Sequence, residues 1–372
     1  MIKKGLGDIS MLKVGNTSIS KAYVGNTLVW STIPPSFDNL ACRYYIPSAG
    51  RTRVAHTIPL TAGTMTVDGV TMPASAECVF TSIGSHIVEW EGVTGTTGED
   101  TFKNINTLRG VYFPSGLTEV GNYSFSDCTG LTQIDLSGTA VISIGQHAFS
   151  NCTGLKEINV GPTEYISEYT FAGCTALTGF TFSTGITEIG MHAFQNCGQN
   201  RFNTLDFRGT SLYEIGDYAF KSTGIRTLDL RNTPLHIIQR EAFSGSKIRN
   251  LELPNNDNLI IDASAFTDND IREYVWFNGQ KNLTLRDKAF YGNYDLSIVD
   301  FTNVTIKEIG SGVFESTMDL KTLWLDVDKM GPYMFAHCHG IQEIHLGNRI
   351  TEIPEGAFYN SISYSCPSVV IP

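Results

Sequence analysis

The apolar positions of this chain recur with a long and regular period. Twelve phenylalanines, most of them preceded by Ala, Ser or Thr, follow one another at intervals of 21 to 26 residues. They are Phe102, Phe125, Phe149, Phe171, Phe194, Phe220, Phe243, Phe266, Phe290, Phe314, Phe335 and Phe358. Self-similarity at a period of this length is typical of stacked repeat architectures. One long array can therefore account for most of the 372 residues.

Each repeat has two halves with different patterns. The unit is roughly Ile-x-x-Ile-Gly-x-x-Ala-Phe-x-x-Cys-x-x-Leu-x-x-Ile-x-Leu, and "ITEIGMHAFQNC" is its clearest copy. The second half, for example "LTQIDL", alternates apolar and polar positions, which predicts a strand. Ile134 and Leu136 should therefore point into the core, while Gln133 and Asp135 should point outward.

The first half of the unit predicts a turn. The Ala-Phe-x-x-Cys segment is too short for an independent helix, so we expect one helical or 3₁₀ turn that packs its Phe inward. A glycine often precedes this turn, where it would supply a permissive backbone conformation. These glycines are Gly121, Gly145, Gly190, Gly216, Gly310 and Gly331. Because no unit can bury its own apolar face, stacking should produce a repeat solenoid with a parallel β ladder, one rung per repeat.

These motifs resemble the BspA-type leucine-rich repeat family, whose unit is I-x-x-I-G-x-x-A-F-x-x-C-x-x-L-x-x-I-x-L-P. The resemblance covers residues 97–372 and implies a leucine-rich repeat array of about twelve repeats. Members of that family are mostly surface or secreted proteins of bacteria and some protozoan parasites, and are associated with adhesion. The resemblance implies no enzyme. This chain departs from the family because its first residues contain no apolar stretch or cleavage site of a signal peptide.

The first hundred residues predict a small all-β module before the array. The tetrapeptide Val-Gly-Asn-Thr at 14–17 returns at 24–27, and Gly-Asn between β-branched runs is a hairpin signal. Residues 1–33 should form a hairpin or docking segment, and residues 34–96 a β module that merges into a cap for the solenoid. The segment at 14–30 also resembles the Y-x-G-x-T-x-V-W segment of phage and prophage tail proteins of gut bacteria. An ordinary hairpin is the alternative interpretation.

Charge and motif content exclude several classes of function. The chain carries 26 basic and 37 acidic residues, a net charge of −11, whereas nucleic-acid binding needs a basic surface. No segment reaches the roughly 18 consecutive apolar residues of a membrane span, so no membrane insertion is expected. The chain has no Walker loop, G-x-S-x-G or H-E-x-x-H motif. We therefore predict no catalytic residue and no cofactor.

The cysteines fall into a column of the repeat. Five of the eight lie three residues after an anchor phenylalanine, where other repeats have Thr, Ser or Asn. These five are Cys128, Cys152, Cys174, Cys197 and Cys338. The column should hold a small buried side chain that packs or hydrogen-bonds at a turn, because free Cys behaves as a small hydrophobe with a weak donor. Exchange with Thr, Ser and Asn argues against disulfides, and the pairing of Cys42, Cys78 and Cys366 stays open.

The histidines also separate by column. His147 and His192 lie two residues before an anchor phenylalanine, at a position that other repeats fill with Tyr. That position should be a half-exposed aromatic site rather than a general base. His337, Cys338 and His339 look like a zinc cluster, but Cys338 belongs to the buried column and its neighbours should face elsewhere. No metal site is therefore predicted.

The outward face of the strands is where a partner is expected, since solenoids bind along such surfaces. The candidate binding residues are Tyr112, Asp135, Glu157, Asp206, Asp229, Glu252, Asp300, Trp324 and His345. The same alignment places Val275 and Glu273 outward in the repeat of Phe266. Like charges on neighbouring strands are unfavourable, so the acidic stretch of the face should meet a cation or basic partner, or be solvated. Trp324 and His345, the exposed aromatic patch near the end of the array, form the preferred contact.

The last residues, "CPSVVIP", look like the strand half of one more unit with an open edge. An open edge invites pairing, so we expect another copy of the chain or another protein to cover it. The predicted function is a non-enzymatic attachment protein that recognises a protein or glycan on a bacterial or host surface. It would be a phage or prophage tail component in the virion, docked to other virion proteins through its N-terminal segment. An extracellular or cell-surface adhesin is the alternative, and a glycan-processing enzyme is the alternative from another class.

Overall fold

The computed structural model describes residues 12–14, 17–19, 21–24, 27–31, 40–47, 52–55, 64–73, 77–93, 95–198, 203–277, 279–361 and 368–370. Strands and turns make up the regular structure of these residues, and none of them lies in a helix. Cys366 and the residues at 32–39, where the predicted docking segment meets the predicted β module, lie outside this range.

Two short hairpins form the start of the chain. Their strands are β1 (Leu12–Val14), β2 (Thr17–Ile19), β3 (Lys21–Val24) and β4 (Thr27–Ser31). Val14 pairs with Thr17, and Val24 pairs with Thr27, in antiparallel register. The hairpins predicted from the repeated tetrapeptide are therefore confirmed, although the Gly-Asn dipeptides themselves are not among the described residues.

An antiparallel sheet precedes the array and caps it. The strands are β5 (Leu40–Ile46), β6 (Thr52–Ala55), β7 (Thr64–Val67), β8 (Val70–Pro73), β9 (Glu77–Phe80), β10 (Gly84–Trp90), β11 (Gly95–Thr96) and β12 (Leu108–Tyr112). Five of them form one sheet in the order β12-β5-β10-β7-β8, while β6 pairs with β9. Trp90 is fully buried and meets Phe102 edge to face at 5.7 Å. The module and the first repeat therefore share one hydrophobic core.

A ten-stranded parallel sheet runs along one side of the array, starting at β11. Its other strands are β13 (Leu117–Val120), β15 (Ser143–Ile144), β17 (Tyr165–Ile166), β19 (Glu188–Ile189), β21 (Glu214–Ile215), β23 (Ile237–Ile238), β25 (Ile260–Ile261), β27 (Leu283–Leu285) and β29 (Ile306–Ile309). Each strand pairs with the equivalent strand of the next repeat. The predicted parallel ladder is therefore present.

A second set of parallel strands, which we call the face strands, comes from the alternating half of each repeat. They are β14 (Gln133–Asp135), β16 (Glu157–Asn159), β18 (Gly179–Thr181), β20 (Thr204–Asp206), β22 (Thr227–Asp229), β24 (Asn250–Glu252), β26 (Tyr274–Trp276), β28 (Ile298–Asp300), β30 (Thr322–Leu325), β31 (Glu343–Leu346) and β32 (Ser368–Val370). Ile134 and Leu136 are buried, whereas Gln133 and Asp135 are exposed, as predicted. The segment at 368–370 pairs with β31, which confirms it as the strand half of a further unit.

The anchor phenylalanines form a continuous stack through the core. All twelve rings lie face to face with their neighbours, at centroid separations of 5.0 to 5.6 Å. Offset stacking of this kind is favourable beyond the burial of apolar area. Each interval of 21 to 26 residues between anchor phenylalanines therefore adds one ring to a single aromatic column.

The turn that carries each Phe is not the helical or 3₁₀ turn predicted from the sequence. In all twelve repeats, the residues two before and two after the anchor have a positive φ, for example Tyr123 (54°) and Asp127 (59°). A left-handed residue on each side of the Phe prevents a helix from continuing. The freed N–H groups bond to the next rung instead: Phe125 N donates to Ala148 O at 2.8 Å. The turns therefore form a third hydrogen-bonded ladder between rungs.

The glycines that precede the turns have a different role from the one expected. Gly121 and Gly331 do not adopt a positive φ, so the backbone conformation does not require glycine there. An added Cβ would lie 2.3 Å from Gly98 O at the first position and 2.1 Å from Gly310 O at the second. The glycines are needed because the backbone of the preceding rung approaches closely.

The cysteine column has the structural role that its exchange with Thr, Ser and Asn predicts. Cys128 Sγ donates to Phe102 O at 2.9 Å, and Cys152 Sγ donates to Phe125 O at 3.1 Å. Asn269 Nδ2 makes the equivalent bond to Phe243 O at 2.8 Å. The Cys, Ser and Asn members therefore bond to the carbonyl of the anchor Phe in the preceding rung, whereas Thr223 and Thr317 bond to the anchor Phe of their own rung. All seven cysteines within the described residues are free thiols.

The column thiols should be inert in the folded protein. Burial raises the pKa of the Cys128 and Cys338 thiols to about 12. The thiolate is the reacting form, so at pH 8 only about one thiol in ten thousand would be reactive. Iodoacetamide at pH 8 should leave both residues unmodified in native protein and modify them after denaturation, as measured by peptide mass spectrometry. Native labelling at the rate of a free cysteine would contradict this assignment.

Candidate binding surface

The outward row of the face strands differs from the predicted one at a single repeat. Trp276, with 57% of its surface exposed, lies opposite Asp300, while Val275 is buried. Val275 lies four positions after the inward Ile271, whereas the equivalent interval in the other repeats is three positions. Glu273 absorbs the additional residue with a left-handed φ of 58°. The predicted outward positions of Val275 and Glu273 are therefore wrong, and Trp276 and Tyr274 occupy them.

Two of the three carboxylates in the acidic stretch, Asp206 and Asp229, are paired with arginines of the same chain. Asp206 pairs with Asp229, and Asp229 with Glu252, on successive strands. Arg208 binds Asp206 at 2.7 Å and reaches Asp229 at 3.3 Å, and Arg231 binds Asp229 at 2.7 Å. Hydrogen bonds from Arg208 lower the pKa of the Asp206 carboxyl. Arg208 and Arg231, which follow β20 and β22, therefore supply compensating positive charge. The sequence alone suggested a cation, a basic partner or solvent for this role.

Three of the other predicted binding residues, Tyr112, Asp135 and Glu157, lie away from the acidic stretch. Tyr112 lies on β12 of the cap sheet, where it packs half-buried against Ala41 and Ile87. Asp135 and Glu157 are exposed on neighbouring strands near the start of the array. Asp135 accepts a hydrogen bond from the backbone of Ser137 at 3.0 Å, which holds the turn after the strand.

The last repeats bring aromatic and acidic residues into one row. Trp276, Asp300, Trp324 and His345 occupy equivalent positions on β26, β28, β30 and β31. Trp276 Nε1 donates to Asp300 Oδ2 at 2.6 Å, and the backbone N–H of Thr302 donates to Asp300 Oδ1 at 2.7 Å. The Trp324 and His345 rings stack in parallel with centroids 3.6 Å apart. These contacts fix the orientation of both exposed indoles.

Three adjoining cavities follow the carboxyl ends of these strands, and we call them together the strand-end groove. The first, about 240 Å³, lies between Glu252 and Trp276. The second, about 350 Å³, is lined by Trp276, Asp300 and Thr302. The third, about 330 Å³, is lined by Thr302, Trp324 and the end of β31. Trp276 borders the first and second cavities and Thr302 the second and third, so the three depressions adjoin one another in order.

The histidines that attracted attention in the sequence have structural positions. Cys338 is fully buried and donates to Phe314 O at 3.2 Å, while His339 is exposed. No group of three or more His, Cys, Asp or Glu suited to a metal ion occurs among the described residues. His147 and His192 alternate with tyrosines in a half-exposed ring stack, with centroids 4.4 to 4.7 Å apart. Burial in this stack lowers the pKa of His147.

A solenoid with an exposed row of fixed side chains is the architecture of a repeat binding protein. The family model described as "BspA type Leucine rich repeat region (6 copies)" matches residues 88–199, 161–272, 199–321 and 260–371. These matches together cover most of the chain. The chain belongs to the BspA-type leucine-rich repeat family, a class of proteins that mediate binding or adhesion.

Comparison with solved structures gives several bacterial relatives. A leucine-rich repeat protein from Bacteroides ovatus is 15% identical, with a TM-score of 0.44, over 76% of this chain and 88% of the relative. A leucine rich cell surface protein from Faecalibacterium prausnitzii is 20% identical, with a TM-score of 0.38, over 73% and 75%. A leucine-rich repeat protein from Eubacterium ventriosum is 17% identical, with a TM-score of 0.41, over 84% and 85%. A search of curated proteins gave no match.

The sequence predicted two alternative locations for the protein, the virion and an extracellular or cell-surface position. None of the comparisons supports the virion role predicted from the segment at 14–30. Within the described residues, no helix is long and apolar enough to cross a bilayer. BspA-like repeat proteins are typically found at cell surfaces, which fits the alternative prediction of an adhesin.

Proposed function

We propose that this chain is a non-catalytic attachment protein, displayed at a cell surface or secreted, that holds its partner in the strand-end groove. The observation that carries this proposal is the pair of exposed, fixed indoles of Trp276 and Trp324 on one row of the face. Exposed Trp side chains contribute a large share of binding energy where they anchor a contact. Because their neighbours already hold them, little side-chain freedom is lost on binding.

The partner is a protein or glycan on a bacterial or host surface. The family supports this assignment, since its members are associated with adhesion. The groove also favours binding over catalysis, because its central carboxylate, Asp300, is held by Trp276 and Thr302 in a structural arrangement. The N-terminal hairpins would dock the chain to another protein of the same surface.

Cell attachment by the purified full-length chain tests this proposal. Fluorescently labelled protein should bind saturably to epithelial or bacterial cells, as measured by flow cytometry. The double substitution Trp276→Ala and Trp324→Ala should weaken binding at least tenfold, because it removes both stacking surfaces. The control is Tyr213→Ala with Tyr294→Ala, which removes two aromatic side chains of similar exposure outside the groove.

Three results would contradict the proposal. The first is no saturable binding to either kind of cell, and the second is equal binding by the tryptophan variant and the wild type. The third is release of reducing ends from cell polysaccharide, which would favour the glycan-processing alternative. Antibody labelling of virions rather than cells would restore the tail-component hypothesis.

A further inference from the structure

We infer that the ligand of the strand-end groove is a neutral oligosaccharide whose sugar rings stack on the indoles of Trp276 and Trp324. This inference rests on the proposed function, because it names the ligand class of the same site. It follows from the shape of the indoles, the polar groups around them, the charge of the groove and the spacing of its cavities.

Each indole offers a flat and fixed surface. The hydrogen bond from Trp276 Nε1 to Asp300 holds the ring edge, although 57% of the side chain is exposed. His345 covers one face of Trp324, which leaves the face towards the Asp300 strand open. The face of an aromatic ring carries partial negative charge, and one face of a pyranose ring presents C–H groups with partial positive charge. A sugar therefore matches these surfaces in both shape and charge.

The polar rim of the groove suits hydroxyl groups. Asn255 lies at the first cavity, Asn303 at the second and Asp326 at the third, with Thr302 between the last two. Asn presents both donors and acceptors, and carboxylates present acceptors. A sugar hydroxyl can donate and accept, so it can pair with every one of these groups. Each cavity therefore combines an aromatic or apolar wall with partners for hydroxyls.

The charge of the groove selects against anionic sugars. Glu252, Asp300 and Asp326 all line it. The nearby arginines are already paired, Arg231 with Asp229 at 2.7 Å and Arg349 with Asp326 at 2.9 Å. A sialic acid or sulfate would meet these carboxylates, and Arg231, the one Arg or Lys among the described residues that line the three cavities, is already paired. Closely opposed like charges would cost several kcal/mol. The groove therefore fits uncharged sugars.

The spacing of the groove suits a linked chain of small units. Each cavity, at about 240 to 350 Å³, is close to the lower limit of ordinary ligand sites. Trp276 and Trp324 are separated by two strand spacings, on the order of 10 Å. Sugars linked in an extended chain can place alternate rings on two such platforms. One short oligosaccharide can therefore occupy all three cavities.

A protein partner fits this site less well. On β24, β26, β28, β30 and β31, the large exposed apolar side chains are Trp276, Ile298 and Trp324. A stable protein interface buries about 800 Å² on each side around a continuous apolar centre. Isolated aromatic side chains separated by carboxylates do not provide such a centre.

Binding of the full-length chain to a printed array of neutral, sialylated and sulfated glycans tests the inference. We expect signal on neutral oligosaccharides, followed by saturable binding of the best neutral one in isothermal titration calorimetry and tryptophan fluorescence. Trp276→Ala and Trp324→Ala should each lower that affinity at least tenfold, while the Tyr213→Ala and Tyr294→Ala control should not. The milder variants Trp324→Phe and Asp300→Asn keep the shape of the groove and should lower the affinity less.

The same proteins on periodate-treated cells separate this inference from the proposed function. Loss of attachment after oxidation of cell-surface sugars supports a glycan ligand. Attachment that survives oxidation but still depends on Trp276 and Trp324 would leave the attachment role intact and overturn the sugar. Array signal confined to sialylated or sulfated glycans, or no array signal, would also overturn it. Failure to attach to any cell would count against the proposed function alone.

Discussion

Phe220→Ala should lower the free energy of unfolding by about 3–5 kcal/mol, the usual cost of truncating a buried aromatic residue. Its ring is almost fully buried and stacks between Phe194 at 5.0 Å and Phe243 at 5.1 Å. The substitution therefore removes both stacking contacts and the edge contact with Phe207 at 6.2 Å, and leaves a cavity within the aromatic column. Because rungs contact only their neighbours, the loss should concentrate in the adjoining repeats.

Hydrogen exchange measured by mass spectrometry can locate this effect. Amides of the repeats around Phe194 and Phe243 should lose protection, while those near Phe335 keep theirs. Tyr294→Ala is the matched control, since its ring is 47% exposed and should change stability by no more than about 0.5 kcal/mol. Uniform loss of protection along the array, or no loss, would contradict the stacked-ring account.

Asn269→Ala should destabilise the array by about 2–4 kcal/mol, since buried groups left without partners cost about 1–3 kcal/mol each. Asn269 Nδ2 donates to Phe243 O at 2.8 Å and to Phe266 O at 3.0 Å. Its Oδ1 accepts from Ile248 N at 3.0 Å. Alanine would leave the N–H of Ile248 without this acceptor and take a donor from both carbonyls.

Cys152→Ser is the comparison in the same column. Cys152 makes one hydrogen bond, to Phe125 O at 3.1 Å, and a serine hydroxyl can replace it. We expect a loss of about 1 kcal/mol or less in urea unfolding followed by circular dichroism. If Asn269→Ala and Cys152→Ser were equally mild, the column would be a packing position rather than a hydrogen-bonding one.

The regular part of the fold could be predicted because the Phe period determines the register. Once the anchors are aligned, the inward Ile134 and the buried Cys152 follow from fixed offsets. The conformation of the turns could not be obtained this way. Hydrogen bonds to the next rung favour the left-handed conformation of Tyr123, and the sequence of one repeat does not show those bonds. The position of Asp127 is Asn, Asp or Gly in most repeats, and these residues adopt that conformation readily, so this half of the turn had a signal in the sequence.

Part of the candidate binding surface could also be predicted from fixed offsets within the repeat. Trp324 and His345 were placed correctly, since their repeats keep the usual spacing of three residues. Trp276 was missed because one additional residue before Val275 shifts the alternation, a difference visible in the spacing from Ile271. The neutralisation of Asp229 depends on Arg231, which lies beyond the strand and outside the alternating pattern. Offsets within the repeat therefore predict well which strand residues face outward, but they predict poorly which residues beyond the strands pair with them.

The ladders that join the rungs also determine how the molecule responds to mechanical load. Their hydrogen bonds run from rung to rung along the array, so tension applied at its two ends pulls each bond along its own direction. Bonds loaded this way yield one rung at a time rather than all together. Each detached repeat of 21 to 26 residues would lengthen the chain by about 80 Å. An array loaded at its two ends would therefore lengthen in steps, with each yielding rung limiting the force on the rungs that remain.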